Sequence, residues 1–282
     1  MLPCVDGESF EARVAGGLLR GSVAGSGEPV LVLHGGPGLL WTYLEPLLGE
    51  LAAGYRVASY QQRGLPPSTA GVPYDVATQA ADAVAVLDAL GWERALVVGH
   101  SWGGHLLLHL LADHPGRLTG ALIVDTLGGV GDGGEAEFDE EMLRRTPPAD
   151  VARVEHLEQQ AMAGKGSEAD LQESMRLLWP AYFADPAGAP PFPGLEFSVE
   201  AYAATFASLH AELPQLAFRI ADSAVPTVFV HGAGSPMPVS ASTGTAAAMG
   251  AAATVEILAD AGHFPWLECP GALRASLDRL AC

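Results

Sequence analysis

Apolar residues in this chain fall into short unbroken runs, separated by longer stretches with helical spacing. Val30-Leu31-Val32-Leu33 is the first run. It follows Gly27-Glu28-Pro29 and stops at His34-Gly35-Gly36-Pro37-Gly38. Turn residues on both sides predict a buried strand ending in a tight loop. Residues 56–60, 95–99 and 121–124 repeat the pattern. Before the third run, Ala80, Ala83, Val84, Leu87 and Leu90 recur at helical spacing. Asp82 and Asp88 are predicted on the outer face of that helix, and Gly91 marks its end. A mostly apolar helix over 102–113 is predicted next, stopping before Pro115. Strands apolar on both faces, with helices between them, predict a parallel sheet covered on both sides.

The rhythm breaks after Thr126. A Gly-rich acidic stretch, 128–141, leads into polar segments of helical character at 137–145, 148–163 and 168–178. A loop rich in proline and aromatics, 179–197, precedes two more helical segments that run to about Asp222. Strand signals return at 226–231 and 254–258, with helices predicted at 240–249 and 267–280. The simplest organisation is a sheet core, 1–125 and 223–282, with a helical cap, 126–222, inserted into it.

Composition narrows the classes. A chain of 282 residues suits one large domain, or one core with an insert. A hydrophobic content of 49% excludes a largely disordered chain. With 33 acidic and 14 basic residues the net charge is −19, and Arg144-Arg145 is the longest basic run. Such a surface repels phosphate backbones, so no nucleic-acid partner is expected. Cys4, Cys269 and Cys282 are odd in number and lack metal-ligand spacing, which points to a reducing compartment and no metal. The first ten residues lack the basic and apolar regions of a signal peptide. The most apolar stretch, 106–112, falls well short of the roughly 20 residues that span a bilayer. A cytoplasmic protein with no membrane partner is expected.

The chemistry centres on Gly99-His100-Ser101-Trp102-Gly103-Gly104, a G-x-S-x-G motif between a predicted buried strand and a helix. Glycines on either side permit a turn too sharp for side chains. The serine hydroxyl then projects above the sheet at a helix N-terminus, where the helix dipole favours a developing oxyanion. Together with His34-Gly35-Gly36-Pro37-Gly38, the motif resembles the proline iminopeptidase branch of the α/β-hydrolase fold superfamily. Tyr60-Gln61-Gln62-Arg63-Gly64 resembles that branch's Asp-Gln-Arg-Gly loop, with Gln61 where an acid is usual. His100 stands where typical members carry Gly or Ser.

The resemblance implies an α/β-hydrolase fold and a Ser–His–acid triad that needs no cofactor. It places the oxyanion hole at the backbone N–H of Trp102 and of a glycine in the first loop, with Gly36 favoured and Gly35 the alternative. The base is expected beyond the last strand, where His263 lies in Asp260-Ala261-Gly262-His263. The usual acid position follows the strand at 226–231, but Ser235 occupies it and cannot carry a charge. The superfamily's second acid position, past the strand after the nucleophile helix, holds Asp125. Loops at the carboxyl ends of parallel strands share one rim, so Asp125 can reach the same histidine. Asp260 and Asp222 are outside alternatives.

The remaining histidines are assigned more modest roles. His105 and His109 lie four apart on one helix without an acidic or cysteine companion, and are read as core residues. His34 is read as structural, and His231 as a residue that could line the site. In the cap, Trp179, Tyr182, Phe183, Phe192, Phe197, Tyr202 and Phe206 supply aromatic surface, most of it expected to pack the cap onto the core. Aminopeptidases of the branch bind the substrate amine with cap carboxylates, for which Glu155, Glu158, Glu173, Glu196 and Glu200 are candidates.

The expected function is a serine hydrolase cleaving a small-molecule ester or amide, aminopeptidase-like in one version. The alternatives are an acyltransferase or lyase using the same site, and a ligand-binding protein on the hydrolase fold. Serine at the elbow argues against epoxide hydrolases and haloalkane dehalogenases, which use aspartate there.

Overall fold

Eight strands form a single sheet in the structure, a computed structural model that describes residues 7–281. They are β1 (Glu8–Val14), β2 (Gly17–Gly25), β3 (Pro29–Leu33), β4 (Arg56–Gln61), β5 (Ala95–His100), β6 (Leu118–Val124), β7 (Thr227–Gly232) and β8 (Ala253–Leu258). Their spatial order is β1-β2-β4-β3-β5-β6-β7-β8. β2 pairs antiparallel with β1 and β4, and every pair from β4 to β8 is parallel. The β1–β2 hairpin lies outside the apolar-run pattern for a physical reason. Much of it is only partly covered, so polar and apolar residues mix and no unbroken run marks it.

Period-two alternation divides each central strand between two cores. Leu31, Leu33, Val97, Ile123 and Phe229 face one side. Val30, Val32, Leu96, Val98, Leu122 and Val230 face the other. Of the first helices, α1 (Glu45–Ala52) packs on the second face, and α2 (Val76–Ala89) and α3 (Trp102–Asp113) on the first.

Between β6 and β7 the chain runs through α4 (Glu135–Arg145), α5 (Val151–Met162), α6 (Glu168–Leu178) and α7 (Val199–Ile220), with no strand among these described residues. Sequence predicts two helices where α7 is one, continuous through Pro214. Leu209, Leu213, Leu216 and Ile220 are all buried in the α3 face of the core, and that packing outweighs the missing proline N–H. The last three helices are α8 (Val239–Met249), α9 (Pro265–Glu268) and α10 (Ala272–Leu280). The closing helix is therefore split, with Pro270 and Gly271, at φ +87°, in the break. No helix among the described residues is long and apolar enough to cross a membrane. Cys4 and Cys282 lie outside the described residues, and Cys269 is a free thiol.

Asp82 contradicts its predicted outward placement. It is 4% exposed and receives Arg63 Nε at 2.5 Å and Nη2 at 2.8 Å. Arg63 Nη1 donates to the carbonyls of Ala15 and Gly71, both at 2.8 Å. The helical pattern could not reveal a cation arriving from the loop after β4. Replacing one partner leaves the other buried charge uncompensated, so Asp82→Ala is expected to cost about 3–5 kcal/mol. Urea unfolding checks this, and a loss below about 1 kcal/mol, the scale of an exposed pair, would contradict it.

Candidate active site

Four parallel strands end on one rim, and each delivers one part of the site. β3 runs into His34–Gly38, β5 into Ser101, β6 into Asp125, and β8 leads through a turn to His263. Ser101 sits at φ 54°, ψ −122°, directly before α3, and is partly accessible. Left-handed backbone is unfavourable for a residue with a Cβ. The elbow is held by Ser101 N–H donating to Val124 O at 2.9 Å and Thr126 Oγ1 donating to Ser101 O at 2.9 Å. Its glycines are sterically required. A Cβ on Gly99 would lie 2.3 Å from Gly103 O, and one on Gly103 would lie 2.2 Å from Leu33 O.

Asp125 is the second non-glycine residue with positive φ, at 46°, and is fully buried. Its Oδ1 accepts from His263 Nδ1 at 2.9 Å and from Ser235 Oγ at 2.5 Å. Its Oδ2 accepts from Gly232 N–H at 2.9 Å. Burial alone would raise this carboxyl. The hydrogen bonds from His263 and Ser235, with the electrostatic pull of the nearby His231 and His263 rings, outweigh it and hold it below the usual aspartate value. Because the carboxylate can only accept, the Nδ1 proton of His263 is fixed, which leaves Nε2 of the neutral ring as an acceptor. Ser235, at the usual acid position, thus serves the carboxylate that stands at the other one.

His263 is 3% exposed, and its ring is covered by Tyr182 at a centroid distance of 5.1 Å and Phe138 at 6.4 Å, both from the segment between β6 and β7. His263 N–H donates to Tyr182 O at 2.8 Å. Glu268 joins the same two segments, accepting from Ala184 N–H at 2.8 Å and Gly262 N–H at 2.6 Å. Arg145 of α4 donates to Gly234 O at 2.6 Å and Ser235 O at 3.3 Å. The segment between β6 and β7 is therefore tied to the loops carrying both His263 and Ser235.

In the β3 loop, Gly35 N–H is already committed, donating to Tyr43 Oη at 2.5 Å. Trp102 opens α3, where an N–H has no intrahelical acceptor. His34 accepts Gln62 N–H on Nε2 at 3.1 Å and donates from Nδ1 to Gly35 O at 2.9 Å. Burial brings its pKa down to about 4, so it stays neutral and braces the loop. Gln61, where the resemblance leads one to expect an acid, is buried and donates to Leu39 O at 3.1 Å.

His231 does not line the site. It is fully buried, donating to Met237 O and accepting from Ser242 Oγ, both at 2.9 Å. His105 and His109 are buried core residues whose Nε2 atoms have no partner among the described residues. Burial brings them to about 4 and about 2, and no third metal-type ligand joins them among the described residues. Trp179, Phe183 and Phe197 pack into the second core, and Trp179 Nε1 donates to Pro190 O at 2.7 Å.

Among the carboxylates named for an amine site, Glu155, Glu196 and Glu200 are exposed, and Glu173 pairs with Arg153 at 2.5 Å. Glu158 is half-buried, accepts a hydrogen bond from Ser174, and is raised by burial. Sequence reasoning missed Asp139. It is open to solvent, yet the surrounding protein, with Glu135 and Glu158, pushes its carboxyl up to about 6. Asp139 and Glu158 both act electrostatically on Tyr182, the ring that covers His263. The signal available in sequence was the acidic first half of α4.

The α/β hydrolase fold model matches residues 28–270. A Caulobacter sp. (strain K31) protein named as a carbamate hydrolase, RutD, is 38% identical over 102 residues, 36% of this chain and 38% of that protein. Epoxide hydrolase B of Mycobacterium tuberculosis (strain ATCC 25618 / H37Rv) is 34% identical over 99 residues, 34% of this chain and 28% of that protein. The matches thus span well under half of these relatives. Among solved structures, the meta-cleavage product hydrolase CumD aligns over 98% of this chain and 97% of its own, with a TM-score of 0.73 and 20% identity. The esterase EaEST from Exiguobacterium antarcticum aligns over 98% of this chain and 100% of its own, with a TM-score of 0.69 and 22% identity. A sheet in this order, with a serine elbow after β5 and a family model matched across most of the sequence, makes this chain a member of the α/β-hydrolase fold family.

Proposed function

We propose that this protein is a serine hydrolase that cleaves a small-molecule ester or amide through an acyl-enzyme. Ser101 is the nucleophile, His263 the base, and Asp125 the acid that orients it. The observation that carries this reading is the buried Asp125–His263 pair at 2.9 Å, on the same rim as a serine held at positive φ. His263 Nε2 takes the Ser101 proton as Oγ attacks the substrate carbonyl carbon. The N–H groups of Gly36 and Trp102 receive the oxyanion, the Gly35 N–H being occupied by Tyr43. His263 then gives its proton to the leaving alcohol or amine. Water attacks the acyl-enzyme, its proton returning through His263 to Ser101 as the acid product leaves. These steps balance without a cofactor. Residues 126–222 act as the cap over this site. Relatives named for carbamate and ester hydrolysis support the reaction class, and a serine nucleophile separates the chain from epoxide-opening chemistry.

Asp139 and Glu158, acids that act on the Tyr182 ring over His263, favour a substrate bearing a cationic amine, which brings the reading towards the proline iminopeptidase-like branch. A panel of p-nitrophenyl esters and aminoacyl-p-nitroanilides, the prolyl one included, tests it. Turnover is expected, with amine-bearing substrates preferred over their N-acetylated forms. Absence of turnover across the panel would instead favour acyl transfer to another acceptor, a lyase or a binding role.

Asp139 also gives a pH prediction. Its folded pKa lies above the unfolded value of about 3.9, so the folded state binds more protons between the two. Stability from this group is present below about pH 4 and is lost as pH rises through about 6. Asp139→Asn is therefore expected to raise Tm at pH 7.5 and not at pH 4. An equal change at both pH values would contradict the raised pKa.

A further inference from the structure

His100, directly before the nucleophile, makes two hydrogen bonds that the reaction as described does not use. Its Nε2 lies 2.8 Å from the carbonyl oxygen of His263, which can only accept. The proton is therefore on Nε2, and Nδ1 must accept. At 2.9 Å from Nδ1 stands Tyr43 Oη, whose hydrogen is then directed at His100. The same oxygen accepts Gly35 N–H at 2.5 Å. One directed chain thus runs from Gly35 N–H to Tyr43 Oη–H to His100 Nδ1, and from His100 Nε2–H to His263 O. It joins the backbone of the loop after β3 to the backbone of the loop after β8, passing through the residue that precedes Ser101.

The surroundings keep this chain in a single state. His100 is 2% exposed and Tyr43 9%. The His100 ring is packed by His263 at 4.7 Å, Trp266 edge-on at 4.7 Å, Phe264 at 5.3 Å and Tyr43 at 5.6 Å. Burial, then the neighbouring His263 charge, holds His100 well below the usual histidine value, so it remains neutral and its proton stays on Nε2. A buried bridge with every member satisfied has directional force that an apolar contact lacks.

We propose that Tyr43 and His100 are positioning residues that hold the oxyanion loop and the base loop at a fixed separation across Ser101, and that withhold Gly35 N–H so that Gly36 faces the reacting carbonyl. The inference rests on the serine-hydrolase reading above. Its effect falls on the transition state, because the groups it aligns act on charge that develops during reaction.

The test uses the full chain, a p-nitrophenyl ester that it turns over, and active-site titration with a fluorophosphonate. Tyr43→Phe removes the hydroxyl that links Gly35 to His100. His100→Gln keeps an amide donor for His263 O, and His100→Asn keeps an acceptor for Tyr43. Tyr43→Phe is expected to lower kcat per titrated site about tenfold to a hundredfold, the scale of a misplaced oxyanion donor, with KM within about twofold. The two His100 variants, each keeping one arm, are expected to lose less than Tyr43→Phe loses or than His100→Ala loses. A purely structural role would reduce the number of titratable sites and leave kcat per site unchanged, and that result overturns the proposal. If Tyr43→Phe yields no folded protein, the comparison of His100→Gln and His100→Asn with His100→Ala decides, and equal per-site kcat in all three overturns it. Ser101→Ala separates the two levels. Activity and labelling retained in Ser101→Ala would defeat the hydrolase reading itself, whereas both abolished there, with wild-type per-site kcat in Tyr43→Phe, would defeat only the bridge.

Discussion

Asp125→Asn is expected to lower kcat by about 10⁴-fold while the chain stays folded. The magnitude follows from hydrogen-bond direction. Both carboxylate oxygens face donors: His263 Nδ1–H and Ser235 Oγ–H on Oδ1, and Gly232 N–H on Oδ2. An asparagine amide has one oxygen and one NH₂. With its nitrogen at the Oδ1 position a donor meets His263, and the ring is driven to the tautomer whose Nε2 carries the proton and cannot act as a base. With its nitrogen at the Oδ2 position a donor meets Gly232 N–H instead, and the charge that stabilises the imidazolium is still lost.

A second substitution sharpens the test. Ser235 Oγ lies 2.5 Å from the oxygen that holds His263, so a carboxylate built at residue 235 enters the same electrostatic site. The double variant Asp125→Asn/Ser235→Asp is expected to recover about tenfold or more of the lost kcat, since most of the penalty is charge and tautomer. Ser235→Asp alone is expected to lose activity, because two carboxylates in contact do not both ionise. Steady-state kinetics on the best substrate of the panel checks all three. An Asp125→Asn enzyme within about tenfold of wild type would remove Asp125 from the triad.

Ser101→Gly is expected to act in opposite directions on activity and stability. Turnover falls by about 10⁴-fold or more, as in serine hydrolases stripped of their nucleophile. Stability rises. At φ 54°, ψ −122° a residue with a Cβ carries about 1–3 kcal/mol of strain, and glycine carries none. Glycine's extra freedom in the unfolded chain returns about 0.5–1 kcal/mol of this, which leaves a net gain of about 1 kcal/mol. Urea unfolding of wild type and variant measures it. A position that loses function and gains stability on the same substitution is one where strain serves chemistry. A variant destabilised like an ordinary core substitution would show that Ser101 is held there for packing.

The strands that position the site were legible because a strand buried on both faces has few polar choices. Residues 30–33, 95–99 and 121–124 therefore announce themselves. The β1–β2 hairpin did not, since an edge with one partly wet face has no such constraint. Ser101 and its elbow were legible because backbone crowding at Gly99 and Gly103 forbids side chains, and that prohibition is written in the sequence. What sequence could not show was pairing between distant segments. Arg63 with Asp82, Ser235 with Asp125, and His100 between Tyr43 and His263 each join residues whose local patterns are silent about a partner. The same holds for Asp139, whose raised carboxyl reads as ordinary until the fold brings Glu158 near it. The two helices predicted where α7 is one show a local rule losing to tertiary packing at Pro214.

Labelling by a fluorophosphonate, followed by intact-mass and peptide analysis, tests the central claim most directly, because the reagent needs a serine oxygen activated by a neighbouring base and an oxyanion hole to receive its P–O. One adduct per chain, located on Ser101, lost in Ser101→Ala and slowed in Asp125→Asn, is the predicted result. An unlabelled wild-type chain, or an adduct that persists in Ser101→Ala, would contradict it.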